Sequence, residues 1–195
     1  MWIPSSRVRY VRYRGSEESS GAGYNVVKDK MFEGNILTII PEIRSFLKDT
    51  FDDYYYLDFA KGIFEKVPEY PESAWLEGVV NAITHRSYNI QGNKIYIKHF
   101  DYRLEISNSG PLPAQVNVDN IRKTRFSRNP RIARVLYDMK YVRELNEGVN
   151  RIYASMEALN LSEPVYTDID CIVTLTLENK VAKNRLSINK EVMNR

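Results

Sequence analysis

Apolar residues recur with a helical period in four segments of the chain and alternate with polar residues in most of the others. The clearest helical pattern runs from Ser73 to about Arg86, where Leu76, Val79, Val80 and Ile83 are spaced three or four residues apart. Side chains at this spacing lie on one face of a helix. The pattern therefore predicts an amphipathic helix with a single buried stripe.

Three further helices are predicted from similar patterns. One covers Ile36 to Leu47, where Pro41 must either kink the helix or begin its second half. A short helix follows Asn129-Pro130, which supply an N-cap and a first-turn proline. The last helix follows Gly148.

Alternating segments predict one strand near the start of the chain, Arg7 to Tyr13, and three antiparallel hairpins. The hairpins are centred on Lys61-Gly62, on Phe100-Asp101-Tyr102 and on Asp168-Ile169-Asp170. The last strand is expected to bury Cys171 as a small core residue. From residue 73 onward the order is α-β-β-α-α-β-β, which argues for an α+β fold, a two-layer sandwich with a mostly antiparallel sheet.

Composition sets limits on the class of protein. The chain has 195 residues with 28 Lys plus Arg and 25 Asp plus Glu, and this net charge of +3 is too small to indicate a nucleic-acid-binding protein. A single cysteine excludes a disulfide framework. No window approaches the ~20 apolar residues of a membrane span, so we expect no membrane partner and a cytoplasmic location. We expect a lead-in at 1–70, a core at 71–178 and a polar tail at 179–195.

Candidate chemistry begins on the predicted helix at residues 73–86. Glu77 and Asn81 are four residues apart and project from the same face. A carboxylate and a carboxamide so placed can hold a water molecule and a hard cation together, although the pair also fits the solvated side of a helix. Gly110 follows a strand where a ligand can approach the backbone, and Gly148 begins a helix whose free N–H groups suit an anion.

Taken together, five motifs in this order resemble one known family: Glu77-Gly78-Val79-Val80-Asn81-Ala82, His85-Arg86-Ser87-Tyr88, Arg103 to Pro113, Arg128-Asn129-Pro130 and Glu147-Gly148-Val149-Asn150-Arg151-Ile152. The family is the C-terminal ATPase-like domain of RecG-related ATP-dependent DNA helicases and transcriptional regulators. It is a divergent member of the gyrase, Hsp90, histidine kinase and MutL superfamily, which has the Bergerat ATP-binding fold. The resemblance extends over about Val8 to Leu177.

The resemblance implies a role for each matching position. It implies that Asn81 coordinates the Mg²⁺ that bridges the phosphates of ATP, and that Glu77 activates the attacking water. Asn108 and Gly110 match the first glycine box, which reads adenine. Gly148 matches the last glycine of the second box, beneath the phosphates.

The arginines after the first glycine box match the mobile ATP lid of the superfamily. Arg128 is assigned to nucleotide binding, and Arg151 is expected to face either a phosphate or an acidic neighbour. The whole segment Arg122–Arg134 contains six basic and no acidic residues, so it suits a triphosphate, a nucleic-acid backbone or a solvated surface equally. The resemblance implies that DNA binds mainly through domains outside this chain.

Two departures from the family pattern leave a second hypothesis open. Asn108 stands where an aspartate is usual, and Asn146 and Glu147 replace the start of the second glycine box. The first hypothesis is a regulatory nucleotide-binding domain, with at most weak ATPase activity, coupled to a DNA-binding module. The second is a degenerate scaffold for dimerisation or partner docking, and a homo-oligomer is open under either. No phosphate-binding loop of the Gly-x-x-x-x-Gly-Lys-Ser/Thr type occurs, so the chain alone is not a helicase motor.

Overall fold

The computed structural model of the chain describes residues 5–59, 61–90, 92–124, 126–141 and 147–179. Eight strands are present in this part of the chain: β1 (Ser5–Tyr13), β2 (Val26–Asn35), β3 (Asp53–Asp58), β4 (Ile63–Pro68), β5 (Ile95–His99), β6 (Arg103–Ser109), β7 (Val165–Ile169) and β8 (Ile172–Glu178). Four α-helices accompany them: α1 (Ile36–Lys48), α2 (Glu72–His85), α3 (Pro130–Asp138) and α4 (Gly148–Ala158).

Six strands form one sheet in the order β2-β1-β5-β6-β8-β7, and β3 and β4 form a separate hairpin. All neighbours in the large sheet are antiparallel except β1 and β5, which run parallel. The α+β class and the mostly antiparallel sheet agree with the prediction from sequence. The first strand lies inside the sheet, between β2 and β5.

One face of the sheet is covered by helices and the other is more open. Along β6, Leu104, Ile106 and Asn108 are buried, whereas the residues between them are half-buried. The same alternation occurs along β8. This period of two is typical of an antiparallel sheet with one buried face. The Asn108 side chain of β6 therefore points towards the helices.

Helices α1 and α2 pack on the covered face, and α4 packs beside α2. Asn35 begins α1, since its side-chain oxygen accepts a hydrogen bond from the Leu37 amide at 2.9 Å. The helix continues through Pro41 to Lys48. Gly78 lets α2 approach the sheet closely, because a Cβ there would lie 2.8 Å from Leu175 and 2.9 Å from Ile106. This close approach places Glu77 and Asn81 directly above the sheet.

Two expectations from sequence are corrected. Cys171 is exposed with φ +60°, because it forms a left-handed turn with Asp170 instead of lying in the strand. Asn129 occupies the N-cap of α3 but makes no side-chain cap bond there; its amide donates instead to the Thr84 and Arg86 carbonyls. The sequence also gave no indication of β2. Among the described residues, no helix is both long and apolar enough to cross a bilayer.

Candidate functional site

A cavity of about 150 Å³ lies between α2, the sheet, the start of α4 and the loop that joins β6 to α3. Among its lining residues are six of the seven site residues predicted from the sequence: Glu77, Asn81, Asn108, Gly110, Arg128 and Gly148. They come from four separate parts of the chain. The fold therefore brings together the groups that the motifs singled out, and the seventh, Arg151, contacts one of them.

Glu77 is almost completely buried, with only 5% of its surface exposed. Its Oε2 accepts a hydrogen bond from Arg151 Nη1 at 2.8 Å, which makes a salt bridge between α2 and α4. Burial raises the pKa of Glu77, and the charge of Arg151 opposes this rise. The sequence left a phosphate and an acidic neighbour open for Arg151, and in this structure its neighbour is acidic.

Gly148, the first residue of α4, lies against the Glu77 carboxylate. A Cβ on Gly148 would be 2.8 Å from the Glu77 carboxyl carbon and still closer to its Oε1, and 3.3 Å from Asn81 Nδ2. Only glycine leaves room for these two side chains at the start of the helix. The carboxylate consequently faces the positive end of the α4 dipole.

Two carboxamides line the cavity without an internal partner. Asn81 is half-buried on α2, and Asn108 is 8% exposed on β6, opposite Val173 of β8. No hydrogen bond joins either carboxamide to another residue in the described part of the chain. Both carboxamides line the cavity and can each offer a donor and an acceptor to a polar ligand.

The loop from Gly110 to Asn129 roofs the cavity, and Arg125 within it lies outside the described residues. One hydrogen bond attaches the loop to β7, and another joins its end to its start. Near its start, the Leu112 amide donates to Asp168 at 2.8 Å, and near its end Arg128 donates to the Pro111 carbonyl. Gly110 has φ +110°, and a Cβ there would lie 2.9 Å from the Arg128 guanidinium.

His85 lines the cavity at the end of α2. Burial, together with the nearby charge of Arg128, lowers the pKa of His85 to about 4. The imidazole is therefore neutral at physiological pH, with Nδ1 3.5 Å from the Arg128 amide nitrogen. His85 is therefore a packed residue of the cavity wall and not a charged one.

Most of the remaining wall of the cavity comes from residues that the sequence did not indicate as part of a site. Much of it is apolar, from Ile106, Val173 and Leu175 on the sheet and Ile121 and Phe126 on the loop. An apolar wall with a few polar groups is typical of a small-molecule site. Tyr166 of β7 also lines the cavity, and its position inside an ordinary strand pattern gave no signal of this.

The structure also shows where Glu147 of the second glycine box and two arginines of the basic segment lie. Glu147 is exposed and is not among the described residues that line the cavity, so its charge is directed away from it. Asn146 lies outside the described residues. Arg122 lies over the Tyr153 ring at 4.3 Å and donates to Asn150, and Arg134 pairs with Asp138. Arg122 and Arg134 of the basic segment therefore already have partners within the fold.

The fold is an α+β domain with a cavity between helix, sheet and loop. Residues 92–177 match the family described as "Putative ATP-dependent DNA helicase recG C-terminal". This part of the chain is similar to the RecG-related ATPase-like domain that the motifs indicated. The match contains Asn108, Gly110, Arg128, Gly148 and Arg151 and begins after α2.

The fold is also similar to that of a solved structure, the DIP2311 protein from Corynebacterium diphtheriae. The TM-score is 0.79 at 22% sequence identity, over 90% of this chain and 35% of that chain. The chain thus spans about a third of the protein that it resembles, and this likeness shows the fold alone. No curated protein matches the sequence.

Proposed function

We propose that this domain binds a nucleotide, ATP with Mg²⁺, in the cavity between α2 and the β6–α3 loop, and that the domain is of the Bergerat type. The observation that carries the proposal is the convergence of Glu77, Asn81, Asn108 and Gly148 on one cavity from separate parts of the chain. The match of residues 92–177 to an ATPase-like domain supports it.

The residues present suit a cation that arrives with phosphates. Within the described residues, no cluster of three or more His, Cys, Asp or Glu side chains could hold a metal ion alone. Mg²⁺ usually takes one or two protein oxygens and completes its shell with phosphate oxygens and water. The Asn81 carboxamide oxygen is such a ligand, and bound Mg²⁺ would supply charge neutralisation for the phosphates.

The two ends of the cavity suit the two ends of a nucleotide. At one end, the N–H groups of the first turn of α4 suit an anion, and a phosphate there would lie beside the Glu77 carboxylate that packs against Gly148. At the sheet, Asn108 offers both a donor and an acceptor to the edge of a base, beside the apolar Val173 and Leu175. The base is thereby enclosed between apolar side chains while its polar edge is paired.

Glu77 is the group that would accept a proton from an attacking water. Its Oε2 is engaged by Arg151 in the present arrangement, so this oxygen would accept a proton only after that guanidinium moves away. We therefore expect slow turnover at most. By analogy with the family, ATP binding would be coupled to an attached DNA-binding module, with Arg122–Arg134 as an additional contact for nucleic acid.

The test is calorimetry with a non-hydrolysable ATP analogue, with and without Mg²⁺. The unchanged chain should bind in the presence of Mg²⁺, Asn81→Ala should lose most of this binding, and Glu77→Gln should keep it while losing any ATP turnover. Arg7→Ala, on an exposed side chain of β1 outside the basic segment, is the control and should bind as the unchanged chain does. Absence of heat at millimolar analogue would refute the proposal.

A second function is favoured by one observation. The Glu77–Arg151 salt bridge lies at the start of α4. The roof loop is bonded to β7 through Leu112 and closed on itself by the Arg128–Pro111 bond. A cavity closed in this way is also what a scaffold without a ligand would have. In that case no nucleotide would bind, and the domain would act through dimerisation or partner docking.

A further inference from the structure

Tyr166 lies on the wall of the cavity and belongs to none of the motifs that indicated the site. It is on β7, opposite Leu175 of β8, and faces the helices as Leu175 does. Its hydroxyl oxygen is enclosed by protein and has no hydrogen-bond partner among the described residues. A buried hydroxyl without a partner is unfavourable in a folded protein.

The surroundings of Tyr166 keep the hydroxyl protonated. Burial raises its pKa most, and the nearby Tyr153 and Glu77 raise it further because of their negative charge when ionised. At neutral pH the group is therefore a hydrogen-bond donor that lies within electrostatic reach of the Glu77 carboxylate. The geometry agrees: Leu175, the cross-strand partner of Tyr166, lies against Gly78, the residue that follows Glu77 on α2.

Other buried polar atoms without a partner border the same cavity. Among the described residues they include Ser127 Oγ and Arg128 Nε, both on the roof loop. Tyr166 differs from these two because it stands on the sheet, where its position does not depend on how the loop is placed. Three unpartnered groups that can donate, on residues from the sheet and from the roof loop, suit a ligand that carries acceptors.

We propose that the Tyr166 hydroxyl donates a hydrogen bond to a phosphate oxygen of the bound nucleotide, at the end of the cavity bordered by Glu77 and the first turn of α4. This inference rests on the proposed function. It adds a ligand-binding residue from β7, a strand that carries none of the motifs.

The test replaces Tyr166 with Phe, which removes one oxygen and keeps the ring. Calorimetry with the Mg²⁺ complex of a non-hydrolysable ATP analogue should show affinity about tenfold lower, the size expected for a hydrogen bond to a charged group. The urea midpoint of the free protein should stay the same or rise, because an unpartnered hydroxyl has been removed. Tyr153→Phe is the matched control: this ring is half-buried on α4 under Arg122 and does not line the cavity. It should bind with unchanged affinity.

Two results would overturn the inference while the proposed function stands. One is a Tyr166→Phe protein that binds the analogue as tightly as the unchanged chain. The other is a free Tyr166→Phe protein with a clearly lower urea midpoint, since the hydroxyl would then be satisfied within the fold. If the unchanged chain itself binds no analogue, the proposed function fails, and this inference fails with it.

Discussion

Gly148 and Glu77 fit together so closely that the first has no room for a side chain. A Cβ on Gly148 would lie 2.8 Å from the Glu77 carboxyl carbon and nearer still to Oε1. Glu77 is buried and cannot swing into solvent without breaking its bond to Arg151. The start of α4 and the acid of α2 therefore hold each other in place.

Gly148→Ala should lower the free energy of unfolding, by about 1–3 kcal/mol, as expected for overpacking a filled site. This direction is opposite to the helix preference for alanine over glycine, which is worth about 1 kcal/mol. Urea denaturation gives the measurement. Glu147→Ala, at the exposed preceding residue, should change stability little. A Gly148→Ala protein as stable as the unchanged chain would contradict this packing.

The salt bridge between Glu77 and Arg151 should show coupling in a double-mutant cycle. Arg151→Met leaves a buried carboxylate without its charge partner, which we expect to cost about 1–3 kcal/mol, less than a fully buried pair because the Arg151 side chain is 27% exposed. Adding Glu77→Gln to the Arg151→Met protein should restore part of the lost free energy of unfolding.

The exposed pair Arg134–Asp138 provides the matched comparison for that cycle. It is a salt bridge four residues apart on α3 with both side chains more than half exposed. Its coupling should stay below about 0.5 kcal/mol. Equal coupling in the two pairs would show that burial does not strengthen the Glu77–Arg151 bridge.

His85 should make the fold less stable in mild acid. Its pKa is lowered from 6.5 to about 4, mainly by burial. As the pH falls below 6.5, the unfolded chain binds a proton that the folded chain does not, so the free energy of unfolding falls. Over the window down to pH 4 the loss approaches about 3 kcal/mol. This loss of stability should be absent from the His85→Gln protein. Urea titrations of both proteins from pH 7.5 to 4.5 would show the difference. Parallel pH curves would contradict the prediction.

Asn129 should stabilise the junction of α2 and α3 as a donor. Its amide bonds the Thr84 and Arg86 carbonyls at 2.8 and 2.9 Å, at the end of α2. Asn129→Ala should cost about 1–3 kcal/mol by leaving both carbonyls unpaired. Asn129→Asp, which only accepts hydrogen bonds, should cost at least as much, as measured by urea denaturation. An Asn129→Asp protein as stable as the unchanged chain would show that Asn129 does not stabilise the junction as a hydrogen-bond donor.

The sequence predicted the central part of the fold well, and the reason is periodicity. The helix predicted at Ser73 to Arg86 is α2, and the hairpin at Ile95 to Ile106 is β5 and β6, because each segment has one clearly apolar face. Strand β2 was missed because it is an edge strand in which Phe32 alone is buried, so the alternation is weak. The turn at Asp170-Cys171 was misplaced because it has two left-handed residues without the glycine that usually marks such a turn.

The candidate site was predictable only where a motif named it. Asn81 and Glu77 follow from their spacing together with the family resemblance. The partner of Arg151 could not be predicted, because it depends on how α4 packs against α2, 74 residues away in sequence. Tyr166 could not be predicted as a site residue for a similar reason. The helices above the sheet decide whether a tyrosine on a strand lines a cavity or packs in the core.

The most direct test of the nucleotide site is thermal unfolding of the unchanged chain with ATP, ADP or GTP, each with and without Mg²⁺. A ligand that binds only the folded protein at 100 times its Kd adds about 2.7 kcal/mol. For a chain of this length that raises Tm by about 5–10 °C. We predict this rise for ATP with Mg²⁺, a much smaller one without Mg²⁺, and its loss in Asn81→Ala. Identical melting curves with and without every nucleotide would contradict the account.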